Sequence, residues 1–376
     1  MMNKRKLTSA AAAGIVCLLV VAGCGSSELN EETVNSTSRQ VIEKPDKTIT
    51  IIDSEPVAAS EVEVVKIDKL EGVRGMDWLG EDKLIIDKLN KNMEPVTIEG
   101  EQRYPHNLYI RDSNAGQASD EALQEESHDQ GFGMLSPDKK YLFYKKHEEN
   151  TARGFIMDLA TRKSAPMGDL LMGASDGEWR DNESVIFPSF SGNIYSSDVN
   201  GNVQLLAKTK KSINYNVKQV GTKVYYISTN NQLTVYDTAT KETTTLDKGV
   251  TWFIPSPDGQ QYALVKRVTE TEMELKLLDA ELKPKQTIAK STQVYGTSWS
   301  PDGSKLAYNA ISEDGGVKGI FVADAVSGKT TQISVDVQYA SDELRWSPSG
   351  KKLMTSTSVM QENSSYSFVT YLISLK

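Results

Sequence analysis

One pentapeptide in the sequence could carry hydrolytic chemistry. The segment 173–177, Gly-Ala-Ser-Asp-Gly, fits the G-x-S-x-G pattern. In a nucleophile elbow this pattern places a serine between a strand and a helix, and a catalytic histidine follows later in the chain. All three histidines, His106, His128 and His147, precede Ser175, and the residues after it have the pattern of a strand. The sequence therefore predicts a loop at this position, not a catalytic nucleophile.

The other polar clusters do not have the spacing of a metal site or a cofactor site. The three histidines show no H-x-H or H-x₃-H pair, so we interpret them as isolated surface residues. The acidic segments 120–129, 175–183 and 312–316 lack the ligand order of a calcium loop. No P-loop or dinucleotide fingerprint follows a strand. We expect no catalytic residue, no metal and no cofactor.

Composition and charge exclude several classes of partner. The chain has 376 residues, of which 38% are hydrophobic and 25% charged, with a net charge of -9. Residues 1–23 contain three cations and no acid, so the remainder has 39 cations against 51 acids, or -12. An acidic body argues against nucleic acid, which needs a positive surface, and against broad adhesion to anionic lipid.

The N-terminus has the pattern of a targeting segment. Basic residues at 4–6 precede an apolar run at 10–23, which is too short for a comfortable membrane span. The run ends in Val-Ala-Gly-Cys at 21–24, which resembles the bacterial lipobox. This resemblance implies cleavage after residue 23 and diacylation of Cys24. We expect a lipoprotein on the extracytoplasmic face of the cell membrane; Gly25 leaves inner and outer membranes both open in a cell that has two.

The segment after the lipobox is predicted to be a tether. Cys17 and Cys24 are the only cysteines, so one thiol remains after processing and no intramolecular disulfide can form. Residues 24–55 are polar and lack aromatic residues, which is typical of a flexible linker. Within them, residues 47–53 alternate like a strand. The globular domain is predicted over 56–376.

A repeat fills the remainder of the chain. An apolar run that ends in aspartate and leads into a polar turn recurs every 39 to 46 residues. The aspartates of this unit are Asp112, Asp158, Asp198, Asp237, Asp279 and Asp324.

A second unit precedes each copy of the first. It consists of a bulky residue, a Pro/Asp/Gly turn and an apolar strand, and it is clearest at 135–146, 255–266, 299–310 and 346–357. Four of the five tryptophans occupy the same position in this unit, whereas Trp252 is three residues out of register. We interpret the Ser-Pro-Asp-Gly residues as turn residues, because aspartate and glycine suit tight hairpins.

These units predict an all-β fold. Two hairpins per repeat give four short antiparallel strands, and such thin sheets must stack on neighbours, which a closed β-propeller achieves. Counting hairpins predicts seven blades, of which the last lacks its outermost strand. We expect the N-terminal strand 61–67 to pair beside residues 366–375 and close the ring. The alternative is six blades, with the divergent region 75–125 folded differently.

The Ser-Pro-Asp-Gly unit resembles the PD40, or WD40-like, repeat of the TolB family. The match is good at Ser256–Gly259, Ser300–Gly303 and Ser347–Gly350, partial at Ser136–Asp138 and loose elsewhere. The resemblance implies a TolB-like propeller, a fold used for binding platforms, peptidase gating domains and occasional lyases. Residues 25–55 are too few for the N-terminal domain of TolB, so the resemblance supports the fold more than a function.

The loops between blades provide the expected binding surface. They join each outer strand to the next inner strand and gather around the axis on one face. We predict a binding site there from aromatic and charged residues, which often dominate interface energy. These residues are Arg74, His128, Tyr215, Trp252, Tyr295 and Tyr339.

Two uses of this face are open from the sequence. The first is non-catalytic binding of a cell-envelope protein or glycan by a monomeric propeller, either alone or as an accessory subunit of a larger machine. The alternative is a lyase or hydrolase with its site in the central channel. The same side chains could also simply fill that channel.

Overall fold

The computed structural model describes residues 39–44, 47–52, 62–98, 101–115, 120–148, 151–209, 213–334, 342–360 and 366–376. The chain divides into two compact units, 1–59 and 60–376. In the first, Arg39–Lys44 pairs antiparallel with Lys47–Ile52, the segment whose alternation predicts a strand. The predicted signal peptide and Cys24 lie outside the described residues. In the described part of the chain, no helix is long and apolar enough to cross a membrane.

The second unit is a ring of seven four-stranded antiparallel blades, and in blades 1 to 6 the four strands run in chain order from the channel outward. Blade 1 contains Arg74–Trp78, Lys83–Leu89, His106–Asp112 and Glu121–Ala122, and blade 2 contains Gln130–Leu135, Tyr141–Glu148, Thr151–Asp158 and Ser164–Met172. Blade 3 contains Glu178–Trp179, Ser184–Pro188, Ile194–Asp198 and Val203–Ala207, and blade 4 contains Asn214–Val220, Lys223–Ser228, Gln232–Asp237 and Thr243–Lys248.

Blade 5 contains Val250–Pro255, Tyr262–Arg267, Met273–Leu278 and Pro284–Ser291, and blade 6 contains Gln293–Trp299, Lys305–Ile311, Lys318–Asp324 and Thr330–Ser334. Blade 7 contains Arg345–Trp346, Lys352–Met360, Tyr366–Leu375 and, from the N-terminal side, Val64–Glu71. A small extra hairpin, Val96–Ile98 with Glu101–Arg103, lies between the second and third strands of blade 1.

Blade 7 closes the ring by joining the two ends of the domain. Val64–Glu71 pairs antiparallel with Tyr366–Leu375, and Ile67 faces Ile373. The predicted closure is confirmed, although the strand begins three residues later than 61. The seven-blade count is also confirmed, and the six-blade alternative is wrong because the region 75–125 supplies a complete blade with one inserted hairpin.

The Ser-Pro-Asp-Gly residues form the turns between first and second strands, as predicted. In blade 6, Ser300 Oγ donates to Asp302 Oδ1 at 2.6 Å and accepts the Lys305 N–H at 2.9 Å. The hydrogen bond from Ser300 is the main cause that lowers the pKa of Asp302 to about 2. Gly303 adopts φ +69°, a conformation that favours glycine. The serine hydroxyl thus provides a hydrogen-bond partner for a backbone N–H and for the aspartate side chain of the same turn.

The repeated aspartates cap the turns between third and fourth strands. Asp198 Oδ1 accepts the N–H groups of Asn200 and Asn202, both at 2.9 Å. Asp279 and Asp324 make equivalent bonds in blades 5 and 6. Both recurring units of the sequence are therefore explained by turn chemistry.

The core lies between neighbouring blades. Phe143 and Met172 of blade 2, for example, pack with Trp179 and Phe187 of blade 3. Because each four-stranded sheet is covered by its neighbours, stability depends on stacking around the whole ring.

Four tryptophans link successive blades by hydrogen bonds. Each lies at the end of an inner strand and donates its indole N–H to a carbonyl of the preceding blade. The pairs are Trp78 to Arg345 (3.0 Å), Trp179 to Met134 (2.8 Å), Trp299 to Ile254 (3.2 Å) and Trp346 to Ser298 (3.3 Å). The out-of-register Trp252 lies within its inner strand, and its buried indole nitrogen has no partner among the described residues.

Substituting the inter-blade tryptophans should destabilise the ring. We expect Trp179→Phe and Trp346→Phe each to lower the free energy of unfolding by about 1 kcal/mol, because each leaves a carbonyl without its donor. Trp252→Phe is the matched control and should cost less, since no hydrogen bond is lost. Urea unfolding measures the effect, and equal losses in all three variants would contradict the role of these bonds.

Candidate functional site

The inner strands all begin on one face of the ring, which we call the cavity face. The loops from each outer strand to the next inner strand lie on this face. Because successive strands are antiparallel, the connections between second and third strands lie there too. The Ser-Pro-Asp-Gly turns lie on the opposite face.

Bulges in the inner strands redirect side chains near the channel. The ladder between first and second strands is interrupted by an irregularity of register in blades 1, 2, 4, 5 and 6. Phe132, Asn216 and Gly296 adopt positive φ at these bulges. A bulge bends the strand and changes the direction of its side chains. Phe132 and Asn216 are not glycines, so the packing around them must hold this less favourable conformation.

A cavity of about 380 Å³ lies at this end of the channel. The inner strands of blades 1, 2, 3, 4, 5 and 7, the second strand of blade 2 and the loops before blades 3 and 7 line it. Its walls contain eight charged side chains, four aromatic ones and three apolar ones. The charged ones are four cations and four acids, Arg74, Lys145, Lys218, Arg345, Asp176, Glu178, Asp342 and Glu343.

Three of the four cations are paired with carboxylates. Arg74 binds Asp342 through Nη2–Oδ1 at 2.5 Å and Nε–Oδ2 at 2.8 Å. Lys218 pairs with Glu178, and Arg345 pairs with Glu343 at 3.1 Å. Burial lowers the pKa of Arg74, but the Asp342 carboxylate outweighs this and leaves the pKa raised. The pairs compensate for part of the cost of removing these charges from water.

Lys145 is the fourth cation, and its side chain is almost completely buried, with 1% exposed. Its Nζ donates to the carbonyl oxygen of Ala174 at 2.8 Å. Within the described residues, no carboxylate lies within ion-pair distance of this Nζ. Burial lowers the pKa of Lys145, while burial raises the pKa of the nearby Asp176. Each group thus favours its neutral form more than it would in water.

Aromatic rings surround the Lys145 ammonium. Its Nζ lies 5.1 Å from the ring centre of Phe132 and 5.4 Å from that of Phe143. The guanidinium carbon of Arg74 lies 4.5 Å from the Phe132 ring centre. Phe132 therefore contacts two cations, an arrangement that the negative face of the ring favours. The glycine at 177 allows the adjacent loop to approach Phe143 closely. A Cβ at this position would lie only 2.8 Å from the ring.

A second polar group lies beside the cavity in blades 1 and 2. His106 Nδ1 lies 2.5 Å from Asp87 Oδ1, and the His106 backbone N–H donates to Asp129. Burial lowers the pKa of His106, but Asp87 outweighs this and the pKa is raised. Burial lowers the pKa of His147, assisted by the charge of Lys145. Among the described residues, no three His, Cys, Asp or Glu side chains form a group that could hold a metal.

Three of the six predicted binding residues line this cavity, namely Arg74, Tyr215 and Trp252. Tyr295 is half-buried on the inner strand of blade 6 and outside the cavity lining, and His128 is exposed in the loop before blade 2. Tyr339 lies outside the described residues.

The predicted positions of the inter-blade loops were partly wrong. The turn signals of the sequence predict inter-blade loops at 68–75, 247–252 and 290–297, but much of these segments belongs to strands, because the inner and outer strands extend further toward the cavity face. Arg74, Tyr215, Trp252 and Tyr295 consequently lie on inner strands.

Sequence reasoning missed several of the cavity residues. Phe132, Lys145, Asp176 and Lys218 were not predicted as site residues. A lysine within the apolar strand Tyr141–Glu148 was an available signal, because a charge in such a strand is unusual.

The G-x-S-x-G segment is a loop, as predicted. It connects Ser164–Met172 to the short inner strand Glu178–Trp179, and a strand follows it where a nucleophile elbow requires a helix. Ser175 is exposed and lines the cavity.

Comparison with known proteins supports the fold. No family model matches the chain. A segment of 115 residues, 27% of this chain, is 29% identical to dipeptidyl-peptidase 5 of Porphyromonas gingivalis, of which it covers 17%. An oligogalacturonate lyase in complex with manganese superposes with a TM-score of 0.59 at 13% identity, over 90% of this chain and 96% of that one. An oligogalacturonate lyase from Vibrio parahaemolyticus gives 0.57 at 10% identity, over 84% and 98%.

TolB from Acinetobacter baumannii is also similar, with a TM-score of 0.42 at 16% identity, over 72% of this chain and 60% of that one. Identities this low show the fold alone. The seven four-stranded blades observed confirm the expected TolB-like propeller architecture. The resemblance is one of fold.

The Asp87–His106 pair should be visible in a pH titration. We expect the ring of His106 to titrate above 6.5, and Asp87→Asn to lower its pKa. Because the folded-state pKa is raised, the pair stabilises the fold fully below the ordinary histidine pKa, and this contribution is lost as pH rises through the raised value. NMR of the histidine rings measures both effects. A His106 pKa at or below 6.5, or one unchanged by Asp87→Asn, would contradict the assignment.

Proposed function

We propose that this chain is a non-catalytic binding protein of the bacterial cell envelope. It is anchored through lipid on Cys24, and its propeller holds a protein partner on the cavity face. The lipid anchor rests on the lipobox resemblance, and the binding role rests on the distribution of exposed apolar side chains.

Exposed apolar side chains concentrate on the cavity face. Among the described residues, fourteen large hydrophobic side chains are exposed, and nine of them lie at the ends of strands or in connections on this face. We call these nine the rim: Leu89, Tyr104, Phe190, Ile213, Val268, Val317, Val359, Met360 and Tyr366. They come from blades 1, 3, 5, 6 and 7 and from the loop before blade 4. Concentrations of exposed apolar surface mark interaction sites.

The chemistry of the rim favours a protein as the occupant. Seven of its nine side chains offer no hydrogen-bonding group, whereas a glycan presents many hydroxyls that require partners. The interior of a membrane is also apolar, but a net charge of -12 over residues 24–376 opposes approach to anionic lipid. A protein partner with its own apolar patch fits both features.

The cavity provides an anchoring point inside this rim. Trp252 and Tyr215 line it beside the paired Arg74. Trp, Tyr and Arg are the residue types that most often dominate interface energy when a partner buries them. The rim would exclude water while a partner side chain enters the cavity.

Site-specific photocrosslinking tests the docking face. With a crosslinking residue at Phe190 or Val268, we expect one and the same protein adduct in intact cells. The matched control position is Val326, which is exposed but lies in a turn on the opposite face, and it should not give that adduct. The identified partner, once purified, should bind the Met360→Ser, Tyr366→Ser double variant about tenfold more weakly. Lipid adducts at the rim, or identical adducts at Val326, would overturn the proposal.

Lipidation has its own test. Cys24→Ser should abolish incorporation of a clickable palmitate analogue and release the protein from the membrane fraction, because the thiol is the acylated atom. Cys17→Ser is the control and should retain both properties, since this residue lies within the predicted signal peptide. Retained labelling of the Cys24 variant would rule out this anchor.

A further inference from the structure

The cavity contains as many cations as acids, but not every cation has an ion-pair partner among the described residues. Arg74, Lys218 and Arg345 each have a carboxylate partner. Lys145 is the most buried of the four cations and has one hydrogen bond, to a backbone carbonyl. Its acidic counterpart in the cavity, Asp176, accepts the N–H of Gly173 at 3.2 Å.

An ammonium with one hydrogen bond is under-satisfied in this environment. Lysine offers three N–H donors, and burial of a charged group is costly unless the charge is paired and its donors are used. The Phe132 and Phe143 rings supply cation–π contact but accept no ordinary hydrogen bond. Two donors of Lys145 therefore remain for a group that enters the cavity.

The surroundings of Lys145 suit a small carboxylate. The cavity volume of about 380 Å³ is within the range of small-ligand sites and accommodates an amino-acid side chain or a chain end. Phe132 and Trp252 provide apolar wall for the carbon atoms. A carboxylate accepts two hydrogen bonds from one direction and brings the charge that the ammonium lacks.

We propose that Lys145 binds a carboxylate group of the protein partner inside the cavity. This inference rests on the proposed function and names the chemistry that the partner presents. The carboxylate comes from an acidic side chain or from a chain terminus. The nearby Asp176 carboxylate repels the incoming group and so limits its affinity.

Titration with short peptides tests the proposal on the purified full chain. The probes are acetyl-Ala-Glu-Ala-amide for a side-chain carboxylate, acetyl-Ala-Ala-Ala with a free C-terminus for a terminal one, and acetyl-Ala-Gln-Ala-amide as the neutral match. We expect at least one carboxylate peptide to bind about tenfold more tightly than the neutral peptide. The better of the two identifies the source of the carboxylate.

Two variants and a matched control test whether the preference for a carboxylate peptide over the neutral peptide depends on Lys145. Lys145→Met should reduce the preference to within about twofold, and a thermal melt confirms that the variant is folded. Lys146→Met is the control and should keep the preference, because this neighbouring lysine pairs with Glu126 at 2.5 Å and is not part of the cavity lining. Asp176→Asn, which keeps Lys145, removes both the repulsion of an incoming carboxylate and a charge that raises the pKa of Lys145, so it should change carboxylate affinity less than Lys145→Met does.

Equal affinities for carboxylate and neutral peptides, or a preference retained in Lys145→Met, would overturn the inference. If galacturonate binds in a Lys145-dependent way and neither carboxylate peptide binds, the carboxylate does not come from a protein partner, and that part of the inference is wrong. Crosslinking at the rim does not require Lys145, so an intact rim adduct together with no carboxylate preference in the unsubstituted protein disproves this inference alone. Loss of the rim adduct disproves the proposed function.

Discussion

The ladder between Val64–Glu71 and Tyr366–Leu375 is the contact on which the rest of the structure depends. A four-stranded blade buries too little surface to be stable alone, and each blade is covered only by its two neighbours. Without the N-terminal strand, blade 7 would have three strands and the ring would end at two unlinked edges. Pairing the first strand with the last converts a linear stack of sheets into a closed ring. Closure also protects the strand edges that an open stack would expose.

The boundary between blades 7 and 1 is reinforced by long-range polar contacts. Lys352 pairs with Asp82 at 2.6 Å, and Glu81 accepts hydrogen bonds from Ser349. On the cavity face, Arg74 of blade 1 binds Asp342 in the loop before blade 7. These partners are separated by about 270 residues in the chain, so each contact exists only after closure. The wall of the cavity at this position is therefore a product of ring closure.

The two ends of the inner strands carry different kinds of side chain. The ends near the Ser-Pro-Asp-Gly turns contain the tryptophans that join blade to blade, such as Trp179 and Trp346. The ends near the cavity face contain bulges and charged side chains, which contribute less to stacking. Trp252 departs from the tryptophan pattern because it belongs to the second group. Its indole nitrogen is buried and has no hydrogen-bond partner among the described residues.

The sequence alone determined the number of blades, the turn residues and the identity of the closing strand. These features depend on local chemistry: a serine hydroxyl and an aspartate such as Ser300 and Asp302 satisfy their own turn, and the repeat counts such turns. Only the tertiary structure decided which side chains meet in the channel. Lys145, Lys218 and Asp342 come from distant repeats, and Lys218 follows a bulge that turn signals do not reveal. The pairing of three cations, and the absence among the described residues of a carboxylate within ion-pair distance of Lys145, result from ring geometry, which no local pattern encodes.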